Sequence, residues 1–285
     1  MISITLPDGS VKEVPKNTTP MDVAKSISSG LARNVLTASF NGETVETVTP
    51  LTEDGSLVLY TWNDEQGKQV FWHSSSHILA QAIEEMYPGV KLTIGPPIET
   101  GFYYDIDMGE HTISENDFPA IEKRMLEIAR EKHEFKMRAV SKQDALDYYK
   151  EKDNEFKVEL IENLEDETIT FCDHDTFTDL CRGGHIPNTG FIRAFKLMNI
   201  AGAYWRGDEN NQQLTRIYGV SFPKQKDLKE YLEFLEEAKK RDHRKLGKEL
   251  DIFMVQKEVG SGLPFWLPKG ATIRRVIERY ITDKE

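Results

Sequence analysis

His73 and His77 stand one helical turn apart in HSSSH, and Cys181 and His185 repeat that spacing in CRGGH. Neutral imidazole nitrogens and a thiolate are donors that bind zinc tetrahedrally. The same groups can also hold a water, move a proton or steady a developing negative charge. Residues four apart on a helix project from one side, so HSSSH aims both rings at one place. Two glycines between Cys181 and His185 let a loop turn both side chains towards a single point. Neither half is specific alone: a histidine pair on a helix is most often solvated, and Cys181 also fits an inert buried thiol with His185 a hydrogen-bonded core residue. Together they offer three nitrogens and one sulfur, with Asp179 just upstream.

The helix that carries the first pair is expected from about Phe71 to Tyr87, stopped by Pro88-Gly89. On a helical wheel Ile78, Leu79, Ala82, Ile83 and Met86 form the apolar arc, while His73, His77 and Glu84 fall well away from it. This predicts histidines that face away from the main core and line a cleft or solvent. Nearby, Cys172-Asp173-His174-Asp175 would place Cys172 and His174 on one face of a strand. Asp173 and Asp175 diverge to the other face, so this cluster is a reserve rather than a ligand set.

Residues 1–62 read as a small α+β unit: strands Ile2 to Leu6 and Val11 to Val14 around Asp8-Gly9, then a helix near Pro20. Thr19 suits the N-cap, Pro20 the first helical position and Asp22 the third. Strands Val35 to Phe40, Thr44 to Val48 and Leu57 to Trp62 complete a β-grasp layout. A polar stretch from Asn63 to Lys68 marks a boundary near residue 63. A second αβ unit follows: strands within Lys91 to Asp107, and helices at about Glu115 to Lys132, Ser141 to Lys152 and Lys157 to Asn163. A strand Thr168 to Phe171 and a mostly β segment Phe191 to Tyr218 precede a helix Lys226 to Leu246. The tail holds a turn-rich SGLPFWLPKGA and a helix from about Thr272 that is still amphipathic at Glu285, the pattern of a helix that continues in missing sequence.

A length of 285 residues allows two compact domains. No apolar run approaches the ~18 residues that span a bilayer, and Cys172 and Cys181 are too few for a disulfide framework, which fits a reducing cytoplasm. Thirty-six basic against 48 acidic side chains give a formal charge of −12, an unfavourable total for a nucleic-acid binder. Lys239 to Lys248, KKRDHRKLGK, is the local exception, with six cations against the single acid Asp242.

In this order, HSSSH, IGPPIETGFYYDID, Lys157 in FKVELI, DLCRGGH and KLMNIAGAYWRGDENNQQLTRIYG resemble the editing domain of bacterial threonyl-tRNA synthetases. KRDHRKLGKELDIF resembles that family's linker helix, and FWLPKGATIRRVIERYI the start of its class II catalytic domain. The resemblance implies an α+β chain: a ubiquitin-like β-grasp TGS domain at 1–62, a tRNA editing domain at 63–225, a linker helix at 226–247 and the truncated start of the catalytic domain at 248–285. It departs from the family at Gly184, where proline is common, which implies a more flexible loop. The implied reaction is hydrolysis of mischarged seryl-tRNA(Thr), while a full-length member ligates threonine to tRNA(Thr) with ATP. Such editing is needed because one missing methyl gives only ~1 to 3 kcal/mol of discrimination.

By resemblance, His73 and His77 position water and substrate, Lys157 stabilises negative charge, Asp179 holds the seryl ammonium, and Cys181 and His185 complete the wall. Tyr104 and Gly95 shape the pocket, and Lys239, Lys240, Arg241, Arg244 and Lys245 meet tRNA. Editing in this family is implied to need no cofactor, with zinc and ATP serving the missing catalytic domain. Related alanyl-tRNA editing domains use the same two motifs as zinc ligands, so zinc at His73, His77, Cys181 and His185 stays open. The implied partners are the acceptor end of tRNA(Thr) and serine, with no membrane, in the cytoplasm. The full-length protein is implied to be a homodimer and this chain a monomer. Two alternatives stand beside this: a freestanding zinc-dependent alanyl-tRNA editing hydrolase, and a non-enzymatic RNA-binding module with a TGS domain.

Overall fold

A computed structural model describes residues 1–256, 260 and 262–285, so Ser261 of the expected turn-rich tail lies outside the described residues. The chain opens with β1 (Ile2–Thr5), β2 (Val11–Val14), α1 (Pro20–Ile27), α2 (Ser29–Ala32), β3 (Val35–Phe40), β4 (Glu43–Val45) and β5 (Gly55–Thr61). The strands form one sheet in the order β2-β1-β5-β3-β4, with β1 and β5 parallel and the other pairs antiparallel. This is the β-grasp arrangement, closed over Ile2, Ile4, Val23, Ala38, Leu51 and Leu57. The capping box at α1 forms as its sequence predicts, with Thr19 and Asp22 bonded reciprocally.

Next come α3 (Glu65–Met86), β6 (Lys91–Leu92), β7 (Phe102–Asp107), α4 (Phe118–Glu131), β8 (Lys136–Ser141), α5 (Lys142–Glu151) and α6 (Glu155–Glu162). They lead to β9 (Thr168–His174), β10 (Phe177–Leu180), β11 (Ala194–Tyr204) and β12 (Gln213–Phe222). Two antiparallel sheets result, β11-β12-β7-β6 and β10-β9-β8. The fold is α+β, and α3 packs against β7, β12, α4 and the β-grasp strands β3 and β5.

Two expectations change here. The helix expected from about Phe71 begins at Glu65, within the polar stretch, because the Asp64 carboxylate takes hydrogen bonds from the Thr61 amide and hydroxyl at 2.7 and 3.0 Å and folds the chain back at once. The wheel argument for His73 and His77 also fails in part. From Val70 to Ile83 the helix is buried on nearly every side, so His77 is interior, at 3% exposure. A helix enclosed by sheets on more than one side needs no single apolar stripe, and its serines bond to backbone: Ser74 and Ser75 to the carbonyls of Val70 and Phe71, both at 2.8 Å.

The described chain divides into two compact units, Met1–Gln225 and Lys226–Glu285. The regions 1–62 and 63–225 fall in the first, and Leu36 of β3 belongs to the same core as α3 and β7. In the second lie most of α7 (Gln225–Lys240), then α8 (His243–Glu249), β13 (Phe253–Val255), β14 (Pro264–Trp266) and α9 (Pro268–Lys284). The expected continuous linker helix is broken, since Asp242 caps α8 by accepting from the Arg244 amide at 2.8 Å. Part of the segment expected to be turn-rich is a strand, β14, paired antiparallel with β13. Helix α9 begins at Pro268, the residue type suited to a first turn, not near Thr272.

Candidate active site

Helix α3 presents His73 and His77 to a cleft of about 400 Å³, whose lining also includes Gly95, Tyr104, Lys157, Asp179 and Cys181. Seven of the eight residues expected to form the pocket therefore converge on one space. The eighth, His185, has no exposed surface and sits behind Cys181, stacked on Phe135 with the rings 12° from parallel. The CRGGH loop reaches this position because Gly183 and Gly184 take φ of +102° and +83°. Proline holds φ near −65°, so this Gly184 conformation is closed to the residue common at that position in the resembled family.

The three imidazoles share one pattern. His73 Nδ1 lies 3.3 Å from the Gly184 carbonyl oxygen, His77 Nδ1 3.3 Å from Asp179 Oδ2, and His185 Nδ1 3.4 Å from Glu46 Oε1. The His77 and His185 contacts are charge contacts rather than hydrogen bonds, and the hydrogen bond at His185 Nδ1 is with Cys172 Sγ. Carbonyls and carboxylates only accept, so each partner favours the proton on Nδ1 and leaves Nε2 for the centre. There, His73 and His77 bring their Nε2 atoms to 3.1 Å, and Cys181 Sγ lies 3.4 Å from His73 Nε2 and 3.3 Å from His185 Nε2. Two nitrogen lone pairs at 3.1 Å repel unless a proton or a cation lies between them.

The charges fit that requirement. Burial works against the His77 imidazolium, but Asp179 and Cys181 outweigh it and raise its pKa above the ordinary value. His185 is raised for the same kind of reason, by Cys172, Cys181 and Glu46 against burial. His73 is lowered, chiefly by burial. Burial opposes a Cys181 thiolate too, yet His185, His73 and His77 together bring the thiol well below its usual range.

Asp179 anchors the opposite wall. It lies on β10 across from Cys172 on β9, and its carboxylate meets Lys157 Nζ at 2.5 Å, the Tyr104 hydroxyl at 2.7 Å and the Tyr149 hydroxyl at 3.5 Å. Burial alone would raise its pKa, but the charge of Lys157 and the contact with His77 hold it far below the carboxylate range. Lys157 comes from α6, whose N-cap Asn154 accepts from the Lys157 amide at 3.1 Å. Ser76 donates to the Gly95 carbonyl at 2.6 Å and so ties the cleft floor to α3.

The reserve cluster lies alongside, not inside. Cys172 Sγ is 3.8 Å from His185 Nδ1, and burial pushes the thiol up to about 11. His174 is 2% exposed between Phe135 and Phe177, with neither ring nitrogen hydrogen-bonded. Sequence reasoning missed Glu46 and Tyr149. Tyr149 is one more aromatic on an amphipathic helix, and Glu46 lies well over 100 residues from the groups it meets, so no local signal could have found either.

The basic segment is exposed and self-paired. Lys239 and Lys240 meet Glu236 and Glu237 at 2.9 and 2.7 Å, Arg241 meets Glu237 at 3.9 Å, Arg244 meets Asp242 at 2.9 Å, and Lys245 meets Glu249 at 3.9 Å. Exposed pairs of this kind contribute only about 0 to 1 kcal/mol, so each cation can be exchanged onto a phosphate. Among the described residues no helix is long and apolar enough to cross a membrane.

Two family models match the chain: the TGS domain over residues 2–61, and the threonyl and alanyl tRNA synthetase second additional domain over residues 169–218. Among curated proteins, the chain is 69% identical over 281 residues to a threonine–tRNA ligase of Flavobacterium psychrophilum and 67% identical to one of Flavobacterium johnsoniae. It is 57% identical to one of Cytophaga hutchinsonii. Each match covers 99% of this chain and 43 to 44% of the relative, so the chain spans less than half the length of these proteins.

Proposed function

The chain belongs to the threonine–tRNA ligase family, matching its TGS and second additional domains, and from that premise we propose that the cleft hydrolyses the ester of seryl-tRNA(Thr). The observation that carries this reading is the convergence of His73, His77, Cys181 and His185, each imidazole backed at Nδ1 by an acceptor, beside a buried Lys157–Asp179 pair.

Ester hydrolysis needs an oriented water, support for the oxyanion and a proton for the departing ribose oxygen. Nε2 of His73 and His77 face the cleft and hold the water; as the water attacks the ester carbonyl its proton passes to this imidazole pair, while the proton the pair already shares goes to the departing ribose oxygen, so the pair ends as it began. Lys157 keeps positive charge against the wall where the oxyanion forms. Asp179 faces Lys157, Tyr104, Tyr149 and His77, so it holds Lys157 in place and its charge favours a proton on His77, and a seryl ammonium reaches it only by replacing one of these contacts. Tyr104 over Gly95 sets the depth of the pocket. Serine fits and threonine is rejected, since forcing a methyl into a packed wall costs about 1 to 3 kcal/mol.

The same family membership supports further proposals for the whole protein: ATP-dependent ligation of threonine to tRNA(Thr), a homodimer, and a cytoplasmic location. Residues 63–225 are proposed as the editing domain and 226–247 as the linker that meets tRNA through Lys239, Lys240, Arg241, Arg244 and Lys245.

One observation favours a second reading of the cluster. A tetrahedral zinc with N and S ligands at ~2.0 to 2.3 Å has ligand atoms about 3.3 to 3.7 Å apart. Here the contacts along the cluster are 3.1 to 3.4 Å, and all four ligand atoms lie within 4.8 Å of one another. His73, His77, Cys181 and His185 therefore fit zinc, with Gly184, Asp179 and Glu46 behind the imidazoles. When bound, zinc supplies Lewis acidity to a water or a carbonyl oxygen.

The deciding experiment compares hydrolysis of the seryl and threonyl esters of tRNA(Thr) by the 285-residue chain, before and after dialysis against chelator. Seryl-selective hydrolysis that survives chelation is expected. Loss on chelation with recovery on adding zinc assigns the cluster to metal, and tRNA binding without hydrolysis assigns the chain to the non-enzymatic module.

A further inference from the structure

The editing reading places every group of the hydrolytic cleft in residues 63–225, yet the structure brings one side chain into the cluster from outside that range. Glu46 follows β4 of the β-grasp sheet. Its backbone is fixed by local contacts: the Thr49 amide donates to the Glu46 carbonyl at 3.0 Å, and the Met21 amide of α1 to the Thr47 carbonyl at 2.9 Å. From that turn the carboxylate reaches the CRGGH loop. Glu46 Oε1 accepts from the Gly184 amide at 3.0 Å and faces His185 Nδ1 at 3.4 Å.

At Gly183 the loop passes close to this carboxylate. A Cβ on Gly183 would stand 3.2 Å from Glu46 Oε1, a tight contact in a backbone conformation that already favours glycine. His185 has 0% side-chain exposure and is stacked on Phe135; its Nδ1 is hydrogen-bonded to Cys172 Sγ at 3.8 Å and stands in charge contact with Glu46 Oε1. A carboxylate opposite Nδ1 keeps the proton there and turns Nε2 towards Cys181 Sγ.

We infer that Glu46 is a positioning residue for the active site, through which the β-grasp domain holds the CRGGH loop and sets the tautomer and orientation of His185. The inference rests on the hydrolytic reading for its kinetic consequence, but not for its structural one. A geometric device of this kind acts on the chemical step more than on binding, because Glu46 is not among the residues lining the cleft itself. It also gives the N-terminal domain a direct share in editing, beyond any contact of its own with tRNA.

Three variants of the full chain test it: Glu46→Ala removes the carboxylate, Glu46→Asp keeps the charge but withdraws it by one methylene, and Glu46→Gln keeps both reach and an acceptor oxygen. Groups that orient a working histidine are worth roughly 10- to 100-fold in activity, so kcat for the seryl ester should fall at least about tenfold in Ala and by less in Asp, and stay within about threefold of the parent in Gln. KM should move little in all three. Long-range nitrogen–proton NMR of the histidine rings should show the His185 Nδ1–H form in the parent and Gln chains and a mixed or reversed tautomer in Ala and Asp, with His174 unchanged.

Equal kcat in the Asp, Gln and parent chains, or a His185 tautomer indifferent to all three changes, overturns the inference. If the Ala chain melts early, the Asp and Gln pair decides the matter by the same criteria. If the parent itself does not hydrolyse the ester, the proposed function fails while the tautomer measurement still tests Glu46.

Discussion

Gly95 lies directly under the ring of Tyr104, so close that a methyl group there would overlap Tyr104 Cδ2, and the hydroxyl at the far end of that ring donates to Asp179 at 2.7 Å. A residue without a side chain thus decides where a catalytic wall stands. Gly95→Ala should displace the ring, lengthen the bond to Asp179 and lower seryl-ester hydrolysis at least about tenfold, with a stability cost of about 1 to 3 kcal/mol from overpacking. Steady-state kinetics beside chemical denaturation checks this. An alanine chain with the parent's activity would show that Tyr104 does not set the pocket.

His73→Ala combined with His77→Ala should reduce hydrolysis by at least ~100-fold through loss of proton transfer and water placement. Affinity for tRNA should be nearly unchanged if the exposed cations of α7 and α8 carry it. Because His77 is 3% exposed beside Phe177 and His185, the double variant should also melt lower than the parent. Hydrolysis, filter binding and thermal melting on one preparation separate the three effects.

Lys157 and Asp179 form a buried ion pair with side-chain exposures of 3% and 4%. Removing one partner strands the other, so Lys157→Ala should destabilise the fold by about 3 to 5 kcal/mol. Lys157→Met with Asp179→Asn removes both charges together and should be far less destabilised than the sum of the two single changes. Additive losses in denaturant titrations would rule out coupling between the two side chains.

His174 carries a pH prediction. Burial, with the neighbouring His77 and His185, depresses its pKa to about 3, while Asp179 acts weakly in the other direction. The folded chain therefore keeps His174 neutral, and the unfolded chain takes up a proton below its ordinary value of 6.5. Stability falls as pH drops from 6.5 towards 3, by about 2 kcal/mol at pH 5 from this residue alone. With no hydrogen bond to lose at either ring nitrogen, His174→Phe should flatten that acid limb and leave stability at pH 8 equal or higher. Denaturation at pH 5 and pH 8 gives the comparison, and an unchanged slope would refute it.

Much of this was legible in the sequence because it is local. The capping box at Thr19, the β-grasp strands and the shared spacing of HSSSH and CRGGH follow from propensity and periodicity, which neighbours in the chain fix between them. Most residues of the cleft were legible too, through family motifs. The burial of His77 was not, because a helical wheel records one helix and cannot say that sheets cover it on more than one side. Only the tertiary structure decided which nitrogen of each imidazole faces the centre. That follows from acceptors at Gly184, Asp179 and Glu46, the last more than 130 residues from the ring it faces. Such contacts join segments whose own sequences carry no trace of one another, since a carboxylate in a turn reads the same whether it faces water or a buried histidine.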